Sequence, residues 1–154
     1  MGKTSTRDMV YSVVKQQYKT LKTEGNYNNN IGLPLTILRL KDEEVMILEM
    51  GMNHLNEMEE LSRIACPDIS AITNVGTAHI GELGSRENIL KAKLEIVAGM
   101  SDGSTLVING DNDMLSTVRF DNFKVVKVGV DCAAVFKAEK VILMDDHSEF
   151  TINY

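Results

Sequence analysis

The sequence predicts an α/β fold in which a mostly parallel sheet is flanked by helices and ends in a short antiparallel hairpin. Apolar runs without alternation, such as V-M-I-L at 45–48, are typical of strands buried on both faces of a parallel sheet. Amphipathic helical patterns separate these runs, as strand–helix–strand units require. After residue 133 the pattern changes to shorter alternating strands around the turn D-D-H-S, which indicates the C-terminal hairpin.

Length and composition exclude several classes of protein. A chain of 154 residues, 44% hydrophobic and 25% charged, is long enough for one domain with its own core. The formal net charge of −6 argues against a nucleic-acid partner. No apolar run approaches the roughly 20 residues of a membrane span, so we expect no membrane insertion. Cys66 and Cys132 lack metal-binding spacing, so we expect two buried free thiols and a cytoplasmic location.

The first residues match the second half of a phosphate-binding loop, G-x-x-x-x-G-K-[ST], in which Gly2, Lys3 and Thr4 stand for the last three positions, and Ser5 follows as a further candidate for binding the nucleotide. Amides at a helix N-terminus bind phosphate oxygens, Lys3 would reach the phosphates, and the Thr4 hydroxyl would hold Mg²⁺. G-K-T alone is a frequent chance match. The helical pattern that should follow it has apolar positions at Val10, Val13, Val14, Tyr18 and Leu21. This start predicts a fold of the P-loop nucleotide-binding type.

An asparagine-rich segment follows this helix, with the sequence G-N-Y-N-N-N-I-G-L-P-L-T from Gly25. One interpretation is a connection and a short helix with Pro34 in its first turn. The other is that Asn28, Asn29 and Asn30 present their side-chain amides to a ligand. Composition leaves both open.

A carboxylate marks the end of the next strand. Glu49 follows V-M-I-L, and ligands bind at the carboxyl edge of open α/β sheets. A carboxylate there suits Mg²⁺ beside a phosphate loop, although a solvated strand-end glutamate is an equal alternative. Asn56 and Glu59 then predict a capping box for a helix that runs to about Ala65 and stops before Pro67.

The central stretch, residues 69–100, is predicted as a buried strand, a glycine-punctuated loop and a helix. Asn74 and His79 lie in the loop, and Ser85 is a good N-cap for the helix. Lys91 and Glu95 point away from the apolar arc of this helix, but Lys93 falls in its middle, among Ile89, Ala92, Ile96, Val97 and Met100. A lysine inside an apolar stripe either extends its ammonium to water or has a functional partner.

Two further strands are predicted at 104–108 and 124–130. Asn109 and Asp111 follow the first of them, where they form either a turn or part of a site. His147 is interpreted as a residue of the hairpin turn. His54 lies near the Glu49 edge, and its role stays open.

Five blocks in this order resemble the Mur ligase superfamily, the ATP-dependent amide ligases of peptidoglycan synthesis. They are G-K-T, the asparagine-rich segment, E-M-G-M-N-H, N-V-G-T-A-H-I-G-E-L-G-S and E-N-I-L-K-A-K-L-E-I. The resemblance is to the central ATP-binding domain and covers residues 1–154. Within the superfamily it is strongest to the branch that joins D-alanyl-D-alanine to UDP-N-acetylmuramoyl-tripeptide in the bacterial cytoplasm. Leu55 and Asn56 depart from the family, which usually has a glycine after N-H.

The resemblance implies a set of metal ligands. Lys3 and Thr4 match the phosphate-loop lysine and the first Mg²⁺ hydroxyl ligand, and Glu49 matches the carboxylate that shares this metal. His79 matches a ligand of a second Mg²⁺. Lys93 matches a lysine that the superfamily often carbamylates, and its carbamate bears on the second metal. Burial would favour this modification, because a carbamate forms only on a neutral amine.

The resemblance also implies nucleotide contacts and a mechanism. Asn109 matches the asparagine that contacts adenine, and Asn74 lies in the loop that lines the γ-phosphate and acyl site. The tripeptide carboxylate attacks the γ-phosphate of ATP to give an acyl phosphate, which the amine of D-alanyl-D-alanine then displaces. The upstream half of the phosphate loop, the N-terminal UDP-sugar domain and the C-terminal domain are expected outside this chain, which we therefore expect to be inactive alone. The alternatives are a ligase of the superfamily that adds glutamate or another amino acid, and a P-loop binding module without ligase chemistry.

Overall fold

The computed structural model describes residues 2–153, which form two compact units. The first comprises the chain through Pro67 together with Gly76–Ser101, and the second comprises Asp68–Val75 and the chain from Asp102 onward. The first unit is therefore discontinuous in sequence.

The first unit contains the described α-helices and a two-stranded parallel sheet. Strand β1 (Thr20–Lys22) pairs with β2 (Val45–Ile47), with Thr20 opposite Val45. A 3₁₀ turn at Glu95–Gly99 continues the last helix. The helices are α1 (Lys3–Val14), α2 (Gly32–Ile37), α3 (Glu57–Ala65), α4 (Ile80–Leu83) and α5 (Arg86–Leu94). Within residues 2–153 no helix has the length and apolar character needed to cross a membrane.

The second unit is built on a five-stranded sheet. Its strands, in spatial as well as chain order, are β3 (Ile69–Ile72), β4 (Thr105–Asn109), β5 (Lys124–Gly129), β6 (Phe136–Leu143) and β7 (Ser148–Asn153). Neighbours from β3 to β6 are parallel, and β7 is antiparallel to β6. This confirms the predicted mostly parallel α/β fold and its C-terminal hairpin, in whose turn His147 contacts Asp146.

Each unit has its own apolar core. Leu33, Leu61 and Ile89 are fully buried in the first unit. Leu106, Ile108 and Leu115 are fully buried in the second. In β4 the buried positions alternate with half-buried ones, since successive side chains of a strand point to opposite faces.

The first helix is shorter than predicted. It ends at Val14, and Leu21, predicted as a helical core position, lies instead in β1 opposite Met46. Val10 and Val13, two apolar positions of the predicted helical pattern, are 42% and 73% exposed. The α1 residue that is buried is charged, Arg7. Hydrophobic spacing alone misassigned this helix because its inner face is organised by an ion-pair network.

The predicted capping box of α3 is wrong. Asn56 is the N-cap, but it has a left-handed φ of 72° and its side chain makes no capping hydrogen bond. The carboxylate of Glu95 caps the helix instead, since it accepts the Asn56 backbone N–H at 3.0 and 2.9 Å. The prediction that Glu95 points away from the protein is therefore wrong. Glu59 pairs with Arg63 on the outer face.

The central stretch follows its prediction in outline and departs from it in detail. Ser85 caps α5 by accepting the Asn88 backbone N–H at 3.2 Å. β3 is not buried on both faces, because Ile69 is 68% exposed. The glycine-punctuated loop contains the short helix α4, and α5 gives way to a 3₁₀ turn before Met100. Cys66 and Cys132 are free as expected, but neither is buried as predicted, since Cys66 is exposed and Cys132 is half-buried.

Candidate functional site

The first unit contains an open, mostly polar cleft of about 390 Å³. It brings together the start of α1, the asparagine-rich segment, the loop after β2, and the segment before α4. Its lining residues are Lys3, Asn28, Asn29, Asn30, Gly51, Met52, Asn53, Glu57, Glu60 and His79.

The start of α1 has the backbone geometry of an anion site. Gly2 is the N-cap, with φ 82°, a left-handed conformation that glycine adopts without the steric penalty of a side chain. Lys3 is half-buried and lines the cleft, whereas Thr4 and Ser5 are exposed on the first turn. The first amides of a helix have no partner within the helix, so they are available to bind phosphate oxygens.

Two of the three asparagines have distinct hydrogen-bonding roles. Asn29 caps α2, because its Oδ1 accepts the backbone N–H of Gly32 at 2.8 Å and of Ile31 at 3.2 Å. Asn28 donates its Nδ2–H to Glu49 Oε1 at 3.0 Å, and its carbonyl accepts the Gly51 N–H at 2.7 Å. The predicted connection and short helix are confirmed, and the Asn28 amide contacts Glu49.

Glu49 is buried, with 7% of its surface exposed, which excludes the alternative of a solvated strand-end glutamate. Its backbone N–H donates to Thr23 Oγ1 at 2.9 Å. Its Oε1 accepts from Asn28, but Oε2 has no hydrogen-bond partner among the described residues and lies 3.4 Å from Arg7 Nη1. A buried carboxylate oxygen without a donor suits a cation ligand.

Lys93 lies half-buried on α5, and its pKa is lowered. Burial is the larger cause, because it disfavours the ammonium, and the positive charge of Lys3 is the second. Lys3 and Lys93 are therefore close enough to repel each other. A depressed lysine pKa raises the fraction of neutral amine, the form that can react with CO₂.

His79 is the N-cap of α4 and has a left-handed φ of 69°. Its half-buried side chain lines the cleft together with Glu57. Backbone N–H groups of Asn53 and His54 donate to the Glu57 carboxylate at 2.6 and 3.2 Å, and the first of these bonds is the main cause of its lowered pKa. The His54 residue is exposed, and its backbone N–H holds Glu57.

The predicted metal ligands are a mixed set of side chains. In residues 2–153, no three His, Cys, Asp or Glu side chains are grouped to hold a metal ion. The predicted set contains only two such residues, Glu49 and His79, since Thr4 offers a hydroxyl and Lys93 a carbamate. The orphaned oxygen of Glu49 is the feature that fits a cation.

Asn74 and Asn109 belong to the second unit. The Oδ1 of Asn74 accepts from Asn112 Nδ2 at 2.8 Å, and Asn109 Oδ1 accepts the Asp111 N–H at 3.0 Å. The Asp111 carboxylate accepts three backbone N–H groups of the loop after β5, at 2.6, 3.0 and 2.7 Å. Asn109 and Asp111 thus form the predicted turn, and the Asp111 carboxylate links this turn to the loop after β5 by hydrogen bonds.

Arg7 is the site residue that the sequence analysis missed. It lies on α1 one turn after Lys3 and is 8% exposed, although charged side chains are rarely buried. Its i, i+4 spacing from Lys3 places both side chains on one side of the helix. That spacing is the feature of the sequence that could have indicated Arg7 as a site residue.

Comparison with known proteins gives the family. The family model of the Mur ligase middle domain matches residues 1–154. UDP-N-acetylmuramoyl-tripeptide–D-alanyl-D-alanine ligase of Bacillus subtilis is 49% identical over 115 residues, which are 74% of this chain and 25% of that protein. The Synechocystis protein of the same name is 42% identical over 134 residues, 85% of this chain and 30% of that protein.

Solved structures agree with this match. A crystal structure of MurF from Acinetobacter baumannii has a TM-score of 0.92 and 30% identity, and covers 99% of this chain and 34% of its own. MurF ligase from Thermotoga maritima in complex with ADP has a TM-score of 0.88 and 29% identity, with 98% and 35% covered. This chain spans about a quarter to a third of the length of these relatives. With the family model matched along its whole length, the chain belongs to the Mur ligase middle-domain family.

Proposed function

We propose that this chain is the nucleotide-binding part of a cytoplasmic ligase that uses ATP and Mg²⁺ to join D-alanyl-D-alanine to UDP-N-acetylmuramoyl-tripeptide. The observation that carries the proposal is the cleft of the first unit, which is lined both by Lys3 at the start of α1 and by Asn28, the residue that donates to the buried Glu49 carboxylate. The names of the relatives support the substrates, and the ADP in the Thermotoga maritima complex supports the nucleotide.

The start of α1 binds the phosphates in this proposal. Gly2 lets the chain enter the helix in a left-handed conformation, and the first-turn amides at Lys3, Thr4 and Ser5 face the phosphate oxygens. Lys3 neutralises charge that develops on the transferred phosphoryl group. Such fixed charges lower the barrier because they need no reorganisation during the reaction.

Thr4 and Glu49 would hold one Mg²⁺, and His79 and a carbamylated Lys93 would hold a second. The bound ions would neutralise phosphate charge and orient the phosphoryl group. The half-buried position of Lys93 supports its modification, since its lowered pKa favours the neutral amine. His79 acts directly or through a bound water, because Mg²⁺ prefers oxygen ligands.

Asn109 contacts adenine and Asn74 lines the γ-phosphate and acyl site in this proposal. The tripeptide carboxylate attacks the γ-phosphorus, the bond to ADP breaks, and an acyl phosphate forms. The amine of D-alanyl-D-alanine then attacks the acyl carbon, inorganic phosphate leaves, and the amine loses a proton. Lys3 stabilises the charge in the first of these steps.

A chimera tests the function directly. This chain replaces the matching segment of the Bacillus subtilis ligase, and formation of the UDP-linked pentapeptide is followed by mass spectrometry. We expect ATP-dependent product, and a loss of at least about a hundredfold with Lys3→Ala, the size of effect that one charge-stabilising group contributes. Product with glutamate in place of D-alanyl-D-alanine would favour the glutamate-adding alternative. A chimera that binds ATP but yields neither product would favour the non-catalytic module.

The carbamate is tested in the same chimera. Lys93→Ala should lose activity, and a short carboxylic acid added in solution should restore part of it by providing the missing oxygens. Lys91→Ala is the matched control, because Lys91 is exposed on the same helix. Unchanged activity of Lys93→Ala would remove Lys93 from the site.

A further inference from the structure

Arg7 is a buried cation on the helix that begins the proposed phosphate site. Its Nε and Nη2 donate to the Asp8 carboxylate, each at 3.0 Å. Its Nη1 points the other way, with Glu49 Oε2 and the Gly25 carbonyl oxygen each at 3.4 Å. The guanidinium therefore lies between two carboxylates, one partly exposed and one buried.

Glu49 depends on this guanidinium for charge compensation. Its Oε1 is occupied by the neutral amide of Asn28, and its Oε2 has no hydrogen-bond donor among the described residues. Among the described residues, Arg7 is the cation that forms an ion pair with Glu49. A buried carboxylate without a counter-charge is strongly unfavourable, so Arg7 allows Glu49 to be buried in the absence of a metal ion.

The two contacts of Arg7 are unequal. The fork of its guanidinium engages Asp8 at hydrogen-bond distance, whereas the contact with Glu49 is longer than a normal hydrogen bond. Lys22 also contacts Asp8, at 2.7 Å, so the Asp8 carboxylate is shared by the two cations Arg7 and Lys22. Asp8 thus holds Arg7 back from the oxygen of Glu49 that lacks a donor.

We propose that Arg7 is a built-in counter-ion for Glu49, that a divalent cation binding to Glu49 must displace it, and that Asp8 receives the displaced charge. This rests on the proposed function, which assigns Glu49 to the metal. The relative strength with which Asp8 and Glu49 attract Arg7 then sets the magnesium concentration at which the site is half occupied. Weakening the hold of Arg7 on Glu49 lowers that concentration, and strengthening it raises that concentration.

The test is a thermal-shift titration of the 154-residue chain with magnesium chloride alone, without nucleotide. Sodium chloride of equal ionic strength controls for screening. Arg7→Gln should unfold at a lower temperature without magnesium, because Glu49 loses its counter-charge. It should also reach half-maximal stabilisation at about tenfold lower magnesium, since the competing charge at close range is gone.

Asp8→Asn should shift the midpoint in the opposite direction. Without the Asp8 carboxylate, Arg7 is free to bind Glu49 more closely, so about threefold or more additional magnesium is needed. Opposite shifts from two neighbouring residues distinguish a counter-ion from general damage to α1. Matched controls are Arg39→Gln and Asp42→Asn, which remove the same charges from the exposed pairs with Glu24 and Lys19 and should leave the midpoint unchanged.

Three outcomes overturn the inference: a midpoint for Arg7→Gln equal to or above that of the unsubstituted chain, equal shifts in the controls, or no magnesium response in any variant. If Arg7→Gln does not fold, Asp8→Asn and Arg7→Lys decide. Glu49→Gln separates the two proposals, because a full magnesium response in this variant contradicts the assignment of Glu49. A response that needs Glu49 but ignores Arg7 refutes only the counter-ion.

Discussion

Gly99 is the residue at which the packing of the first unit can be tested most sharply. A Cβ at this position would lie 2.0 Å from the Ser62 carbonyl oxygen, 2.3 Å from the Ser62 carbonyl carbon and 2.8 Å from the Arg63 nitrogen. All three are backbone atoms of α3, so no side chain can rotate away. Gly99→Ala must therefore push the 3₁₀ turn away from α3.

The expected loss follows from the contacts at this joint. Overpacking of a fixed backbone costs about 1–3 kcal/mol. The Gly99 N–H donates to Ser62 Oγ at 3.0 Å, and the Ser62 hydroxyl donates to the Ile96 carbonyl; losing both adds about 1 kcal/mol each. The reduced freedom of the unfolded alanine chain offsets about 0.4–1 kcal/mol. We expect a net loss of about 2–5 kcal/mol in the free energy of unfolding, and a fall in Tm of about 4–20 °C at this chain length.

The assay is urea unfolding at 25 °C followed by far-UV circular dichroism. Gly81→Ala is the matched control, because a Cβ there meets nothing within 4 Å, and it should stay within about 0.5 kcal/mol of the unsubstituted chain. If the two variants unfold within about 0.5 kcal/mol of each other, the close approach of the 3₁₀ turn to α3 is refuted.

Three further predictions concern individual side chains. Asp111→Asn should lose about 1 kcal/mol of stability at neutral pH, because three backbone N–H groups donate to the Asp111 carboxylate. These bonds, the one from the Val130 N–H first, hold the pKa of the Asp111 carboxyl below its ordinary value. The stabilisation is therefore present above the pKa of the unfolded chain and is lost as the pH falls through the folded pKa, and urea unfolding that gives a pH-independent difference would contradict this. Asn29→Ala should cost about 1 kcal/mol in urea unfolding through loss of the α2 cap, whereas exposed Asn30→Ala should cost less than about 0.5 kcal/mol. A disulfide reagent should modify exposed Cys66 before Cys132, since burial and then the Asp111 carboxylate raise the pKa of the Cys132 thiol; Asp111→Asn should speed the slow phase, and equal rates for both thiols would refute this order.

The parts of the fold that the sequence predicted correctly depend on local patterns. Ser85 caps α5 because a serine before a helical pattern can accept an N–H of the first turn. The parallel strands β3, β4 and β5 appear as apolar runs, and the hairpin follows from alternation around a polar turn. Among the candidate site residues, the half-buried position of Lys93 was visible as a charge within an apolar helical face.

The parts that were missed depend on contacts between distant residues. Asn56 and Glu95 both suggested ordinary local roles, but Glu95 caps α3 across 39 positions of sequence. β1 has three residues and continues a helical spacing, so only its pairing with β2 defines it. The buried Arg7 is paired with two carboxylates, Asp8 next to it and Glu49 far along the chain. The periodicity of the sequence does not reveal such a pairing.

The discontinuous first unit has a consequence for folding during synthesis. β3 is made as an insertion between two parts of that unit, and its first residue, Ile69, pairs with Thr105. At about 5–20 residues per second, a ribosome needs a few seconds to make the intervening chain. The 3₁₀ turn at Glu95–Gly99, which contacts α3, precedes β4 in the chain and leaves the ribosome before it, so this turn can dock on α3 before β4 is available to pair. The first unit can thus close while β3 is still without its neighbouring strand, so the nascent chain carries an unpaired strand through this interval.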